Sequence, residues 1–368
     1  MKNFLDDELA ALIGTDGAKV IGLGVIAFKN GREVYSFFGG RRHVNPDKKI
    51  TRQTLLRAAS VSKIFTAIAI MQLVEGGKLN LSDDVNKFDF DLRNPNFPNA
   101  PITIEMLLDH TSSLRDEENF SVREPGKFFC YCNLGYCVLA TIIERVTGER
   151  FDRYQHNHIF APLNLNCGYV VADLSEKSFA NLGTIYRKNA AQIDDYKIQP
   201  PKNFAANYRI GTDAGIFAPQ GGLRISFDDL GKFLQMLMNR GVHDGQRIIS
   251  EKSFDAIISA HWTFDGTNGD TYGGVMENYG LGTYKIFGDG KARLCKNFAI
   301  DFVGHSGEAY GLISGLYFVP GTRDGVLFMA NGTAFDADDP RSCGKFSCGY
   351  IWEENIMDPV CRKIFAQS

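Results

Sequence analysis

Ser60 and Lys63 stand three residues apart at the mouth of a long apolar run, a spacing that can make a nucleophile. On a helix, residues i and i+3 share a face, so the amine lies one turn from the serine hydroxyl. Serine reacts poorly until a base takes its proton. Lysine can be that base if desolvation and the positive end of a helix keep it neutral. The N–H groups of the first helical turn also point toward any oxyanion formed at the serine. Ser-x-x-Lys alone is weak, since about one copy is expected by chance in a chain of this size. Its position carries the argument. From Ile64 to Val74 only Thr66 and Gln72 are polar, which predicts a helix buried on all sides and stopped at Gly76-Gly77. A lysine there is costly unless it has a purpose.

Two further stretches carry groups that could serve such a nucleophile. In Phe129-Cys130-Tyr131-Cys132-Asn133-Leu134 a tyrosine and an asparagine flank one residue just before a predicted helix. In Gly304-His305-Ser306-Gly307-Glu308 a predicted strand carries glycines that let backbone approach a ligand closely. Taken singly, each is read more readily as structural, a core tyrosine and a strand-end histidine. Of the seven histidines only His305 joins this set; His156 and His158, two apart, do not share a helix face and read as surface residues.

The elements that must position these groups follow from pattern. Phe4 to Ile13 reads as a short amphipathic helix, and Val20–Phe28 with Glu33–Phe38 as a hairpin turned at Asn30-Gly31. The basic Arg41-Arg42-His43 reads as a solvated turn. Leu81 to about Ala260 is mainly helical, with caps expected at Ser82, Thr103, Ser226 and Ser250, and an apolar helix from Leu134 to Val146 ending at Gly148. The irregular stretch from Gly183 to Gly222 is long enough to wall a site. Tyr279–Phe287, Ala299–Val303, Leu312–Val319 and Val326–Ala330 read as strands, and Trp352–Phe365 as a final helix. The pattern predicts an α+β fold: an antiparallel sheet from both chain ends flanked by helices, with a mostly helical insertion. The expected division is residues 1–58 with 262–368 as the sheet domain and 59–261 as the helical one, the site lying between them.

Composition narrows the chemistry. With 368 residues, 44% hydrophobic, the chain can bury a large core, and a net charge of -3 offers no footing for nucleic acid or an anionic membrane. The acidic start and the lack of a long apolar span predict no membrane crossing. The expected setting is the cytoplasm as the chain stands, or the periplasm or exterior if a leader has been removed. Free thiols are expected for the eight cysteines, with Cys343–Cys348 the favoured pair in an oxidising compartment. No zinc pattern is complete, and no metal or organic cofactor is implied. A small molecule is left as the partner.

Read in order, these stretches resemble the serine β-lactamase and penicillin-binding-protein-like hydrolases, closest to the class C β-lactamase, D-aminopeptidase and carboxylesterase branch. The likeness extends over Ile102–Ser112, Ile142–Gly148, Pro162-Leu163, Gly221–Ser226 and Tyr279–Gly282, and so over most of residues 18 to 332. The resemblance implies Ser60 as nucleophile, Lys63 as its base or proton relay, and Tyr131 as general acid/base. It implies Asn133 as the residue that holds Lys63 and substrate, and His305, Ser306 and Gly307 as the strand beside bound substrate. The oxyanion hole would be the N–H groups of Ser60 and Glu308, where losing one donor typically costs around 3 kcal/mol. His305 replaces a lysine that faces the substrate carboxylate in β-lactamases, so an esterase or D-amino-acid peptidase is expected ahead of β-lactam turnover. A penicillin-binding or sensing module that acylates without turnover is the alternative. Cys130 and Cys132 bracket Tyr131, and their alkylation is expected to silence the enzyme.

Overall fold

The computed structural model describes residues 2–117, 119–347 and 349–366. Helix α1 (Lys2–Ala10) leads into the hairpin β1 (Gly22–Lys29) and β2 (Arg32–His43), followed by the short β3 (Lys48–Lys49). Asn30 and Gly31 turn the hairpin at φ of 52° and 77°, the left-handed pair such a turn needs. A 3-10 turn, Ala59–Val61, runs directly into α2 (Ser62–Glu75). The helical region carries α3 (Asn133–Thr147), α4 (Phe227–Met238) and α5 (Glu251–Ile258). The chain then returns to strands: β4 (Trp262–Thr263), β5 (Asn278–Tyr279), β6 (Tyr284–Ile286), β7 (Phe302–Ala309), β8 (Leu312–Phe318) and β9 (Gly325–Ala330), before α6 (Ile351–Val360).

These strands form one nine-stranded sheet in the order β4-β5-β6-β7-β8-β9-β1-β2-β3, antiparallel throughout. Both chain ends therefore meet in its centre, where β9 pairs with β1. Side chains alternate across a strand, and the central strands are apolar on both faces as a covered sheet demands. Val25, Ala27, Ile313, Tyr317 and Phe328 face a core shared with Leu5, Leu9, Trp352 and Met357 of α1 and α6. Ile26, Phe28, Leu316 and Leu327 face the other core, shared with α2 and α4. The expected fold class is thus realised as helix, sheet and helical layers.

Helix α2 is the centre of the helical layer. Eleven of its residues are buried, Ser62 through Met71 and Leu73, as the unbroken apolar run requires. Thr103, Ser226 and Ser250 cap their helices by accepting from N–H groups three residues on, and Gly148 ends α3 at φ 72°.

Some expectations need correction. Ser82 caps nothing; Asp84, two residues on, accepts from Asn86 N and opens a 3-10 turn. Arg41-Arg42-His43 continue β2, because Arg42 is held by Asn181 and the Ala180 carbonyl rather than by water. Tyr279–Phe287 splits at Gly280–Thr283 into β5 and β6. Cysteine pairing also differs: Cys295 and Cys361, 66 residues apart, are disulfide-bonded and tie the segment before β7 to the end of α6. Their Cα atoms come within 5.5 Å only through the tertiary fold, which spacing along the chain cannot reveal. Cys343 is a free, exposed thiol, and its supposed partner Cys348 lies outside the described residues. Among the described residues no helix is long and apolar enough to cross a membrane.

Candidate active site

Ser60 sits on the 3-10 turn, half-buried, between the sheet and α2. The turn is clamped from both sides: Ala58 N–H donates to the Leu223 carbonyl (2.7 Å), and Ser314 Oγ on β8 donates to the Ala58 carbonyl (2.8 Å). Ala59 adopts φ 47°, a left-handed conformation that costs a non-glycine residue about 1 kcal/mol or more and persists only because the surroundings hold it. The backbone of β7 packs directly on this turn. A Cβ at Gly307 would lie 2.3 Å from Ser314 Oγ and 2.9 Å from the Ala58 carbonyl oxygen, so only glycine lets the strand come this close. Strand β6 pairs with β7 only through Phe302–Gly304; beyond it the Ser306 N–H donates to Tyr284 Oη (3.2 Å) and the Ser306 carbonyl accepts from His305, so the part of that edge left for a ligand is at Glu308.

Lys63, on the first turn of α2, is completely buried and reaches back to the serine. Its Nζ lies 3.3 Å from Ser60 Oγ, 2.7 Å from Asn133 Oδ1 and 3.1 Å from the Gln220 carbonyl. Burial pushes its pKa from 10.5 down to about 7, with the Asp116 carboxylate pulling the other way. The amine stands 4.6 Å from the centre of the Tyr131 ring. Burial drives the Tyr131 phenol well above its ordinary value, a hydrogen bond to Ser60 opposing this in part. One neighbour of Ser60 is therefore an amine that can be neutral near pH 7, and the other a phenol that keeps its proton.

Asn133 opens α3. Its backbone N–H, its Nδ2 and the Leu134 N–H all donate to the Asp116 carboxylate at 2.5, 2.7 and 3.0 Å. Asp116 thus caps α3 from outside the helix and fixes the Asn133 amide, whose oxygen is turned to Lys63.

His305 is buried and joined to a second histidine, His110, through Tyr279. The directions of these bonds assign both tautomers. The Cys132 N–H donates to His110 Nδ1 (3.1 Å), so a neutral His110 carries its proton on Nε2 and gives it to Tyr279 Oη (3.1 Å). Tyr279 then donates to His305 Nε2 (2.9 Å), which leaves His305 Nδ1–H for the Ser306 carbonyl (2.5 Å). Burial, with the charge of Lys63 second, lowers the His305 pKa to about 3 and holds His110 well below 6.5. His305 is consequently a neutral structural post, with no fixed charge to offer a substrate carboxylate.

A cleft of about 430 Å³ opens over Ser60, Tyr131, Asn133, His305, Ser306, Gly307 and Glu308. All the sequence-predicted positions except Lys63 line it, and Lys63 lies directly behind Ser60 and Asn133. Its far walls are Tyr272, Val275 and Met276 from the loop after β4, and Cys343, Tyr350 and Glu353 from the C-terminal part. The Gly183–Gly222 stretch contributes from behind: Gln220 supplies a carbonyl to Lys63, and Arg187 pairs with Glu308 at 3.2 Å. Asp116, His110, Gln220 and Glu353 were not singled out from the sequence. A second cleft of about 380 Å³ holds charges that already pair with one another, Arg52 with Glu33 and Asp228, and Lys232 with Asp229.

The thiols change one expectation. Cys130 and Cys132 are buried, and burial pushes both thiols up, Cys132 to about 12. The thiolate is the reactive form, so both are shielded as well as unreactive. Iodoacetamide at neutral pH is expected to modify Cys343 in the folded protein and to spare Cys130 and Cys132. Peptide mapping would read this directly, and modification of Cys132 ahead of Cys343 would contradict the burial.

A sheet closed by terminal helices on one face, with a helical layer on the other and a Ser-x-x-Lys pair where the layers meet, defines the penicillin-binding-protein-like class of folds. A model of the beta-lactamase family matches residues 9–342, and the chain belongs to that family, most of whose members are serine hydrolases. Penicillin-binding protein 4 of Amycolatopsis lactamdurans is 24% identical, over 87% of this chain and 84% of its own length. Protein flp of Staphylococcus aureus strain MRSA252 is 30% identical over 39% of this chain and only 34% of its own, so the match spans about a third of that relative. The octameric penicillin-binding protein homologue from Pyrococcus abyssi shares the fold, with a TM-score of 0.67 and 24% identity over 90% of this chain and 73% of that one.

Proposed function

We propose that the protein is a serine hydrolase that cleaves an ester or small amide through a covalent Ser60 acyl-enzyme. The observation that carries this reading is the fully buried Lys63 amine, 3.3 Å from Ser60 Oγ, whose pKa burial lowers to about 7 so that it loses its proton as pH rises through that value. Ser60 Oγ attacks the substrate carbonyl while Lys63 Nζ takes the hydroxyl proton, and Tyr131, which keeps its own proton at neutral pH, donates to the leaving group. Water then attacks the ester, losing its proton to the Tyr131 and Lys63 pair, and Ser60 Oγ recovers a proton as the acid departs. The N–H groups of Ser60 and Glu308 are assigned to the oxyanion, and the open edge of β7 to the substrate backbone. Domain assignment follows the same reading, with 59–261 as the helical unit.

Substrate class is argued from charge. Among the described residues the cleft lining contains Glu308 and Glu353 and neither lysine nor arginine, and His305 is neutral. A carboxylate-bearing β-lactam or peptide C-terminus would meet no fixed cation, which favours esters and amides without one. The pH profile tests the base. Hydrolysis of para-nitrophenyl butyrate is expected to rise with pH through an apparent pKa of about 7, because Lys63 must lose its proton to act. Asp116→Asn removes the charge that favours protonated Lys63, so its acid limb should move to lower pH. A limb that stays in place or moves up would reject Lys63 as the base, and a burst without turnover would indicate an acylating module instead. Nitrocefin, run alongside, is expected to turn over more slowly than the ester.

A further inference from the structure

Glu353 and Glu354 are neighbours on α6, both almost fully buried, and they are held in different ways. The Glu354 carboxylate accepts from Phe346 N–H, Ser347 N–H and Ser347 Oγ through a single oxygen, Oε2, and so fastens the preceding loop. Glu353, 4% exposed, accepts one bond, from Tyr317 Oη to Oε1 at 2.5 Å. Its Oε2 receives no hydrogen bond from any described residue, yet the side chain forms part of the wall of the cleft that holds Ser60. A carboxyl set in the cleft wall with that oxygen free of described donors can accept a hydrogen bond from a ligand held in the cleft.

The surroundings select that donor. Among the described residues of the lining the one other carboxylate, Glu308, is already matched by Arg187, and none is a lysine or arginine that could serve Glu353. Tyr350 and Tyr272 stand in the same wall, Tyr272 packed edge-on against Tyr131 with ring centres 5.9 Å apart. Tyrosine faces attract cations and add nothing for an anion. Burial pushes the Glu353 carboxyl to about 7, so a bound cation would both pair with the charge and draw the proton off.

We propose that Glu353, with the rings of Tyr350 and Tyr272, forms a subsite for an ammonium group of the substrate, so that the preferred ester or amide carries a primary amine. The proposal rests on the reading of Ser60 as the nucleophile of this same cleft, and its binding part can be measured without it. Calorimetric titration of the full chain with benzylammonium and with benzyl alcohol compares one shape with and without the charge. Benzylammonium is expected to bind about tenfold more tightly, the scale of one charge-assisted hydrogen bond in a sheltered site. Glu353→Gln, its fold checked by melting temperature, should bring the two affinities together. Equal affinities in the unmodified protein, or a ratio that survives in folded Glu353→Gln, would overturn the subsite. Benzylammonium should also slow fluorophosphonate labelling of Ser60. Glu353-dependent binding in a protein that takes no label would uphold the subsite and reject the nucleophile. Labelling that proceeds with equal affinities for the two ligands would do the reverse.

Discussion

Lys63→Met is expected to lower kcat/KM for ester hydrolysis about a thousandfold, within the range for losing a positioned general base. Methionine is of similar length on α2 but cannot take the Ser60 proton, and among the described residues no other base lies as close; His305 donates through Nδ1 and its Nε2 is already occupied by Tyr279. The loss should fall on the acylation step, so fluorophosphonate labelling slows in parallel. The fold should survive, since the change removes a buried amine whose pKa is about 7 folded against 10.5 unfolded. Between those values the unfolded chain binds more protons, so the wild type gains stability as pH rises and loses it as pH falls toward 7. Lys63→Met lacks that dependence, and its stability relative to wild type should therefore improve from pH 9 to pH 7. Near wild-type activity in a folded Lys63→Met protein would remove the lysine from the mechanism.

The second large effect is structural. Arg224 holds Asp194 through two bonds of 3.1 and 2.8 Å, and donates to the carbonyls of Tyr169 and Gly222, all in a buried setting. Arg224→Met would strand the Asp194 carboxylate, whose side chain is fully buried, and such losses cost about 3 to 5 kcal/mol. Arg57 stands near the pair and feels both charges, so the lower end, about 3 kcal/mol, is expected in urea unfolding at pH 7. Activity should fall as well, because Gly222 is two residues from the Gln220 carbonyl that holds Lys63. A loss under about 1 kcal/mol would show that the pair does not brace this loop. Asp194→Asn added to Arg224→Met should recover part of the stability, since it removes the stranded charge.

What could be read from the sequence was what local pattern controls. The apolar run after Ser60 could only be a buried helix, Asn30-Gly31 could only turn a hairpin tightly, and Ser226 with Asp229 capped as capping chemistry requires. The order of Ser60, Lys63, Tyr131, Asn133 and His305 gave the family, because the ordered set is specific where each motif is not. What escaped was set by tertiary contact. Asp116 lies in an irregular stretch and matters only because the fold carries it to the N-terminus of α3. Gln220 acts through its backbone carbonyl, so its side-chain type says nothing. His110 sat within a recognised stretch, but its role depends on Tyr279 lying 169 residues away in sequence. Glu353 looks like the polar face of an amphipathic helix until the sheet is folded beneath it.

The measurement that bears most directly on the central claim is the intact mass of the protein after incubation with a fluorophosphonate, beside a Ser60→Ala control. The account predicts one adduct on the wild type and none on the control, formed faster as pH rises through about 7 with the deprotonation of Lys63. An unlabelled wild type, or equal labelling of both proteins, would contradict an activated Ser60.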